Sequence, residues 1–239
     1  MKKWWIGCSG FHYKGWKEVF YPKGLPQRRW FEFYCESFNT VELNVTFYRF
    51  PRIKDLQVWY EKSPAEFMFT VKAPRLITHF KKFNGVTREL GDFYNAVSNG
   101  LKDKLGSVLF QMHPWIQYSD EKLEQILTAL DTSFINVIEF RHASWWRPGV
   151  VRALQEKNVS FCGISYPDLP DDVYKSAPSV YYRFHGVPKL YLSSYTNAQL
   201  RGVVDEIKRK RGVSDVYIYF NNDIEVAAVK NAKSVQRMV

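Results

Sequence analysis

The stretch Val137-Ile138-Glu139-Phe140-Arg141-His142-Ala143-Ser144-Trp145-Trp146 decides the fold of this chain. It begins with apolar Ile138 and Phe140 alternating with charged Glu139 and Arg141. Because successive side chains of a β-strand point to opposite faces, Glu139 and Arg141 share one face and the apolar pair shares the other. The same design recurs along the chain, which indicates a repeated strand unit with polar side chains near its end.

Strand-like runs alternate with helical patterns over the whole sequence. Eight apolar, β-rich runs lie near residues 4–8, 40–45, 67–72, 107–112, 136–141, 160–165, 179–185 and 215–221. Helical patterns cover residues 27–38, 53–62, 91–104, 119–131, 196–211 and 225–238, and a short helix is expected from residue 148. This alternation indicates a parallel sheet, and eight units in 239 residues favour a (β/α)8 TIM-like barrel over an open sheet.

The connection between the sixth and seventh strands is the exception. Residues 167–178 contain three prolines, which predicts an irregular loop there instead of a helix. We find no linker, low-complexity segment or clear internal repeat, so we expect a single barrel domain over residues 1–239.

The composition limits the class of protein. The net charge of +10 favours anionic partners. Three cysteines, an odd and sparse number, argue against a disulfide framework and fit a reducing compartment. The apolar run at the N-terminus is too short for a signal peptide, and no segment approaches the roughly 20 apolar residues of a membrane span. The sequence therefore predicts a cytoplasmic protein without a membrane partner.

Polar side chains cluster near the C-terminal ends of the predicted strands, where a barrel of this kind carries its functional residues. A single inward polar pair is equally well explained by a buried network without function. Burying many charges is unfavourable unless they are paired or solvated, so convergence of several pairs predicts a functional pocket. By alternation, the inward side chains are Glu42, Asn44, Thr70, Lys72, Gln111, His113, Glu139, Arg141, Tyr181, Arg183 and His185. On the eighth strand, Tyr217, Tyr219 and Asn221 form one set, and Phe220 and Asn222 form the other.

Short motifs along the chain match a known family pattern. They are GCSGF at 7–11 with Tyr13 and Trp16, FYP at 20–22, FNTVELN at 38–44 with Thr46, Phe47 and Tyr48, Lys72, Thr78-His79, QMHP at 111–114, EFRH at 139–142 with Ser144 and Trp145, YRFHG at 182–186, and YFNN at 219–222. With these motifs the chain resembles the YecE-like family, also called domain of unknown function 72. The resemblance implies a TIM-barrel fold and a site, but no established reaction. Phe11 departs from the family pattern, which more often has Trp, although the aromatic character is kept.

The inward set contains more cations than carboxylates, which predicts an anionic ligand. Arginine binds phosphate or carboxylate in a bidentate fork, and histidine transfers protons near neutral pH. The predicted catalytic residues are Glu42, Glu139, His142 and His185. The predicted substrate-binding residues are Asn44, Tyr48, Lys72, His79, Gln111, Arg141, Trp145, Arg183, Asn221 and Asn222. A glutamate paired with arginine would have a lowered pKa and be a poor base, and the sequence leaves open which glutamate is free.

No cofactor motif is present. The chain has neither a P-loop nor a dinucleotide-binding glycine pattern after its first strand. Glu42, Glu139 and a histidine could supply ligands to a divalent metal, but Lys72 and the arginines would repel a cation. A metal therefore stays an open alternative, and no metal ligands are assigned.

Three functions compete at this point. The first is an enzyme, a hydrolase, isomerase or lyase, that acts on a small phosphorylated or carboxylated substrate. The second is a nucleic-acid-binding or -processing protein, favoured by the net charge and by aromatic residues that could stack on bases or simply pack the loops. The third is a ligand-binding barrel without catalysis. The sequence makes no prediction about the oligomeric state. The aromatic residues expected at the mouth are Trp16, Phe47, Tyr48, Trp115, Trp145 and Tyr195.

Overall fold

Parallel strands form a nearly closed barrel in the structure, a computed structural model that describes residues 1–223 and 225–239. Each strand pairs with the next in sequence from β2 to β8, and β8 pairs with β1. The predicted (β/α)8 TIM-like barrel is thereby confirmed. The strands are β1 Lys3–Cys8, β2 Thr40–Leu43, β3 Met68–Lys72, β4 Leu105–Gln111, β5 Asn136–Glu139, β6 Ser160–Ser165, β7 Ser179–Phe184 and β8 Asp215–Phe220.

Helices pack around the barrel, and two of them begin at a side-chain N-cap that the sequence predicts. Ser119 accepts a hydrogen bond from the backbone N–H of Lys122, and Thr196 forms a capping box with Gln199. Within the described residues, the connection from β6 to β7 contains no helix, as its prolines predict. The helices are α1 Trp30–Ser37, α2 Val45–Tyr48, α3 Ile53–Lys62, α4 Thr87–Leu101, α5 Asp120–Ala129, α6 Pro148–Glu156, α7 Asn197–Arg209 and α8 Ala227–Gln236.

The lumen below the mouth is filled by side chains. The hydroxyl of Tyr219 lies 2.6 Å from Thr40 Oγ1 and 2.9 Å from Thr70 Oγ1, and Thr70 in turn contacts Ser107 Oγ at 2.7 Å. Apolar residues, including Leu109 of β4, complete this inner core. Within the described residues, the lumen below the mouth therefore leaves no room for a ligand. Among the described helices, none combines the length and the apolar character needed to cross a bilayer.

Side chains close the seam between β1 and β2. The hydroxyl of Tyr34 on α1 accepts a hydrogen bond from the Cys8 N–H at 2.8 Å and donates one to the Thr40 carbonyl at 3.0 Å. Gly7 allows this close approach, because a Cβ there would clash with the Thr40 carbonyl and lie 2.8 Å from the Tyr34 hydroxyl. One buried hydroxyl thus links the first strand to the second.

Tyr34→Phe is expected to lower the free energy of unfolding by about 1–3 kcal/mol, because it leaves a buried N–H of β1 and a buried C=O of β2 without their partner. Chemical denaturation at neutral pH measures this loss. Tyr48→Phe is the matched control, since the Tyr48 side chain is 68% exposed and its variant should stay within about 0.5 kcal/mol of the parent. Equal stability of the two variants would show that the Tyr34 hydroxyl does not hold the seam.

Candidate functional site

A buried ionic cluster lies at the C-terminal ends of β2, β5 and β7. Arg183 of β7 bridges two glutamates: its Nη2 lies 2.6 Å from Glu42 Oε1 and its Nη1 lies 2.5 Å from Glu139 Oε2. All three side chains are inaccessible to solvent. Tyr181, two residues before Arg183 on the same face of β7, donates a hydrogen bond of 2.5 Å to the second oxygen of Glu42. Both glutamates are therefore tied to partners, and neither is a free base.

Arg141 lies above this cluster and reaches the mouth. Its Nε donates to Glu139, its Nη2 contacts Gln111 Oε1 at 3.4 Å, and the ring of Tyr166 lies 4.3 Å from its guanidinium carbon. Within the described residues, Nη1 of Arg141 has no hydrogen-bond partner, and the side chain keeps some exposure, unlike Arg183. Of the two arginines that contact Glu139, Arg141 is thus the one with an N–H group available to a ligand.

The two arginines set the charge state of Glu139. Burial alone would raise the pKa of this carboxyl, but the guanidinium groups of Arg141 and Arg183 outweigh that effect and hold the pKa well below its usual range. Glu139 is therefore an anion at neutral pH whose role is to hold cations. Burial alone would lower the pKa of Arg183, but the carboxylates of Glu139 and Glu42 outweigh that effect and hold the pKa well above its ordinary value, so that Arg183 remains charged.

His185, which follows β7, is buried and uncharged. Its Nε2 lies 3.2 Å from Arg141 Nη2 and 3.4 Å from Arg183 Nη1. Burial and these two cations lower the pKa of His185 well below its usual value. The amide nitrogen Nδ2 of Asn221 donates to Nδ1 at 3.2 Å, so Nδ1 is the acceptor and the ring proton is on Nε2, which faces Glu139 Oε2 at 3.4 Å. His185 is therefore a further donor to Glu139 beside the two arginines.

Lys72 ends β3 beside the cluster and is also buried. Its Nζ donates to Gln111 Oε1 at 2.7 Å and lies 4.1 Å from the centre of the Phe47 ring. Burial, together with the positive charge of Arg183, lowers the pKa of Lys72 to about 7. An amine that titrates near neutral pH is suited to proton transfer or to nucleophilic attack.

Partly exposed side chains surround the mouth. The rings of His79 and His113 lie 5.0 Å apart, and burial with the nearby His113 lowers the pKa of His79 to about 4. Asn44 donates from Nδ2 to the carbonyl of Ser9 at 3.2 Å. His142 contacts Ser144 Oγ at 2.9 Å and keeps partial exposure. These groups form an outer ring around the ionic cluster.

Other predicted site residues lie elsewhere. Trp145 is buried, stacks on Phe140 at 4.2 Å between ring centres, and donates its indole N–H to the Ile116 carbonyl. Asn222 is buried against Asn231 at 3.0 Å. Trp16 and Tyr195 are also buried, whereas Tyr48 and Trp115 are exposed.

Tyr181 and Tyr166 belong to the site, although neither was among the predicted catalytic or substrate-binding residues. Alternation along β7 places Tyr181 on the face of Arg183, which is a usable signal. Tyr166 lies in the irregular connection after β6, where no periodicity marks its direction.

The carboxylates leave little capacity for a metal ion. The oxygens of Glu42 and Glu139 are engaged by Arg183, Arg141 and Tyr181. Among the described residues, no group of three or more histidine, cysteine, aspartate or glutamate side chains is arranged to hold a metal. We therefore assign no metal ligands.

A cavity of about 670 Å³ lies beside the cluster instead of over it. Leu43 of β2 lines it, and so do Phe31 of α1 and Trp59 of α3. Asn44 is part of its wall, and in the described residues the buried Oδ1 of Asn44 has no hydrogen-bond partner. The cavity is mainly apolar, although Arg28 and Lys62 are also part of its wall.

The chain matches known proteins over nearly its full length. The model of a family described as protein of unknown function DUF72 matches residues 5–239. UPF0759 protein YunF of Bacillus subtilis (strain 168) is 24% identical over 272 residues, which cover 98% of this chain and 94% of that protein.

Solved structures agree with the fold. The crystal structure of a DUF72 family protein from Thermotoga maritima MSB8 has a TM-score of 0.87 and 26% identity, covering 99% of this chain and 98% of the other. A DUF72 family protein from Enterococcus faecalis V583 has a TM-score of 0.84 at 18% identity, covering 98% and 94% of the two chains, and supports the fold alone.

Proposed function

The chain belongs to the DUF72 family of proteins of unknown function, and on that premise we propose that it is an enzyme acting on a small phosphorylated or carboxylated substrate at the barrel mouth. The observation that carries this proposal is Arg141, whose guanidinium is fixed by Glu139 and Tyr166 while Nη1 has no partner in the described residues. A pre-positioned arginine with an open donor binds an oxyanion without paying to order its own side chain.

Groups for proton transfer surround the same place. Lys72, with a pKa lowered by burial to about 7, exchanges protons at neutral pH. Glu42 and Glu139 serve the arginines instead, because each accepts from a guanidinium. The substrate is therefore held by Arg141 and acted on by Lys72 and the outer ring of polar side chains, with the glutamates as scaffold.

Arg141→Gln is expected to abolish the stabilisation of the protein by its ligand. Thermal unfolding is measured with sugar phosphates, nucleotides and small carboxylates, each shift being taken against the same variant without ligand. At a ligand concentration of 100 times Kd, the parent gains about 2.7 kcal/mol, which is a clear rise in Tm. Arg152→Gln is the matched control, since Arg152 is exposed on α6. Turnover of the compound that binds then separates an enzyme from a barrel that only binds.

A ligand that raises the Tm equally in both variants would place the anion site away from Arg141 and overturn the proposal. Binding without any turnover would leave only the non-catalytic function.

Nucleic-acid binding is the second candidate, and an exposed patch near the mouth favours it. The guanidinium of Arg75 lies 5.6 Å from the ring of Tyr48 and 5.2 Å from the ring of Phe80, and both rings are largely exposed. Arginine beside open aromatic rings suits the stacking of bases. Oligonucleotides that raise the Tm at low salt, with the effect fading steeply as salt rises, would favour this function over the first.

A further inference from the structure

Lys72 and Lys104 are both buried lysines, and their surroundings differ. The Nζ of Lys104 donates to the Tyr60 carbonyl at 2.7 Å and to the carbonyl and hydroxyl of Ser63, both at 2.9 Å. Three oxygens around one nitrogen satisfy an ammonium group completely. Lys104 is therefore a structural lysine that fixes the end of α3.

Lys72 lacks such a set of acceptors. Its Nζ has one oxygen partner, Gln111 Oε1, and the face of the Phe47 ring. Within the described residues, no carboxylate oxygen lies within 4 Å of this nitrogen. An ammonium here would have N–H groups without an acceptor, whereas a neutral amine needs fewer partners and has a lone pair available.

The two arginines near Lys72 disfavour an ammonium there, as does burial. Arg141 shares the oxygen of Gln111 with Lys72, and Arg183 lies in the same cluster, so two permanent cations oppose a third. Glu42 and Glu139 would stabilise an ammonium, but both are already paired with arginine. Desolvation beside other cations is the environment that activates a lysine as a nucleophile.

We propose that Lys72 is the catalytic nucleophile, forming an iminium with a carbonyl substrate whose phosphate or carboxylate group is bound by Arg141. This inference rests on the proposed function and adds to it the substrate class, a 2-oxo acid or a phosphorylated aldehyde or ketone. It also selects among reaction types, since an iminium withdraws electrons from the neighbouring carbon and promotes cleavage or formation of a C–C bond or removal of a proton there. Hydrolysis is not the reaction of such a site.

The step balances without another reactant. The Lys72 nitrogen attacks the carbonyl carbon and forms the C–N bond, and the carbonyl oxygen takes up protons and leaves as water. The ammonium form first releases one proton, so that the attacking group is the neutral amine. That proton and a second one from the nitrogen leave with the oxygen as water, and the nitrogen keeps one proton as the C=N bond forms. No oxidant or reductant takes part.

Reductive trapping tests the proposal on the parent protein. The protein is incubated with pyruvate, glyoxylate or dihydroxyacetone phosphate and sodium cyanoborohydride, and the modified lysines are located by peptide mapping. At pH 7 we expect Lys72 to be modified at least about tenfold faster than other lysines, because a pKa near 7 leaves about half of the amine unprotonated, against a small fraction at the usual pKa of about 10.4. Lys104, mapped in the same sample, is the buried control.

Two further measurements distinguish a reactive Lys72 from a lysine with only a structural role. The rate of modification at Lys72 should level off above about pH 7, whereas surface lysines should react faster up to about pH 10. In the parent, dihydroxyacetone, which lacks the phosphate group, should react with Lys72 more slowly than dihydroxyacetone phosphate does. In Arg141→Gln, the two compounds should react with Lys72 at equal rates. Lys72→Met should lose the adduct, and mapping of the parent decides the question if that variant fails to fold.

Equal modification of surface lysines, or an unmodified Lys72, overturns the proposal. If anions still raise the Tm through Arg141 in that case, the proposed anion-binding function stands and only the iminium is lost. If neither the Lys72 adduct nor the rise in Tm with anions is observed, both the iminium and the anion-binding function are overturned.

Discussion

Arg183→Met is expected to lower the free energy of unfolding by about 3–5 kcal/mol at neutral pH. The variant keeps a side chain of similar length but leaves Glu42 and Glu139 buried without the cation that joins them. Removing one partner of a buried ion pair is strongly destabilising, and here Glu42 is left with neither water nor a counter-charge, whereas Glu139 keeps Arg141. Urea denaturation followed by circular dichroism measures the loss.

Arg152→Met is the control for this experiment. Arg152 is exposed on α6, so its variant should stay within about 0.5 kcal/mol of the parent. Adding Glu42→Gln to Arg183→Met removes the orphaned charge, since Glu139 keeps its pair with Arg141, and should recover part of the stability. A loss below about 1 kcal/mol for Arg183→Met alone would contradict the role of this arginine as the centre of the cluster.

Glu139→Gln is expected to destabilise the protein by about 3 kcal/mol at pH 7, because it removes the carboxylate shared by Arg141 and Arg183. The difference from the parent should shrink in acid. The pKa of Glu139 is held well below its unfolded value by the two arginines, so its stabilisation is complete above an unfolded pKa of about 4.3 and is lost as pH falls through the folded pKa. Glutamine does not titrate.

Urea denaturation of both proteins from pH 7 to pH 3 follows this difference. His185 is present in both proteins, so subtracting the two free energies of unfolding at each pH removes most of the contribution of His185. Glu61→Gln, an exposed change on α3, should match the parent within about 0.5 kcal/mol at pH 7. A difference between parent and Glu139→Gln that stays constant down to pH 3 would show that the charge of Glu139 does not supply the stabilisation.

Together these variants separate the residues that stabilise the fold from the residues proposed to bind or react with the substrate. Glu42, Glu139 and Arg183 are inaccessible and satisfied mainly by one another. Arg141 and Lys72 lie above them, keep some exposure, and meet at the oxygen of Gln111. Losses from the first group should appear as unfolding, and losses from the second as failure to bind or react.

The fold could be predicted almost entirely from the sequence. The eight β-rich runs agree with the strands to within two residues at every end, and the helical patterns fall on α1 and α3 to α8. α2 is missing from the prediction, because four residues are too few for a 3.6-residue period to show.

The site could be predicted in part. Alternation assigned Glu42, Lys72, Arg141 and Arg183 to one face, and the structure brings them together. Trp145 was expected in the mouth but is stacked on Phe140 in the core, because a loop residue has no period that gives its direction.

The sequence by itself determined the barrel and the set of polar side chains at its mouth, because a two-residue period fixes the inward face and parallel strands bring their C-terminal ends to one side. The tertiary structure alone decided which charges pair. Arg183 could have faced either glutamate or the solvent, and its position between Glu42 and Glu139 depends on strands far apart in sequence. With this pairing, Nη1 of Arg141 has no partner in the described residues and Lys72 has no carboxylate beside it. Both results depend on burial and on distances between strands, which the local sequence does not encode.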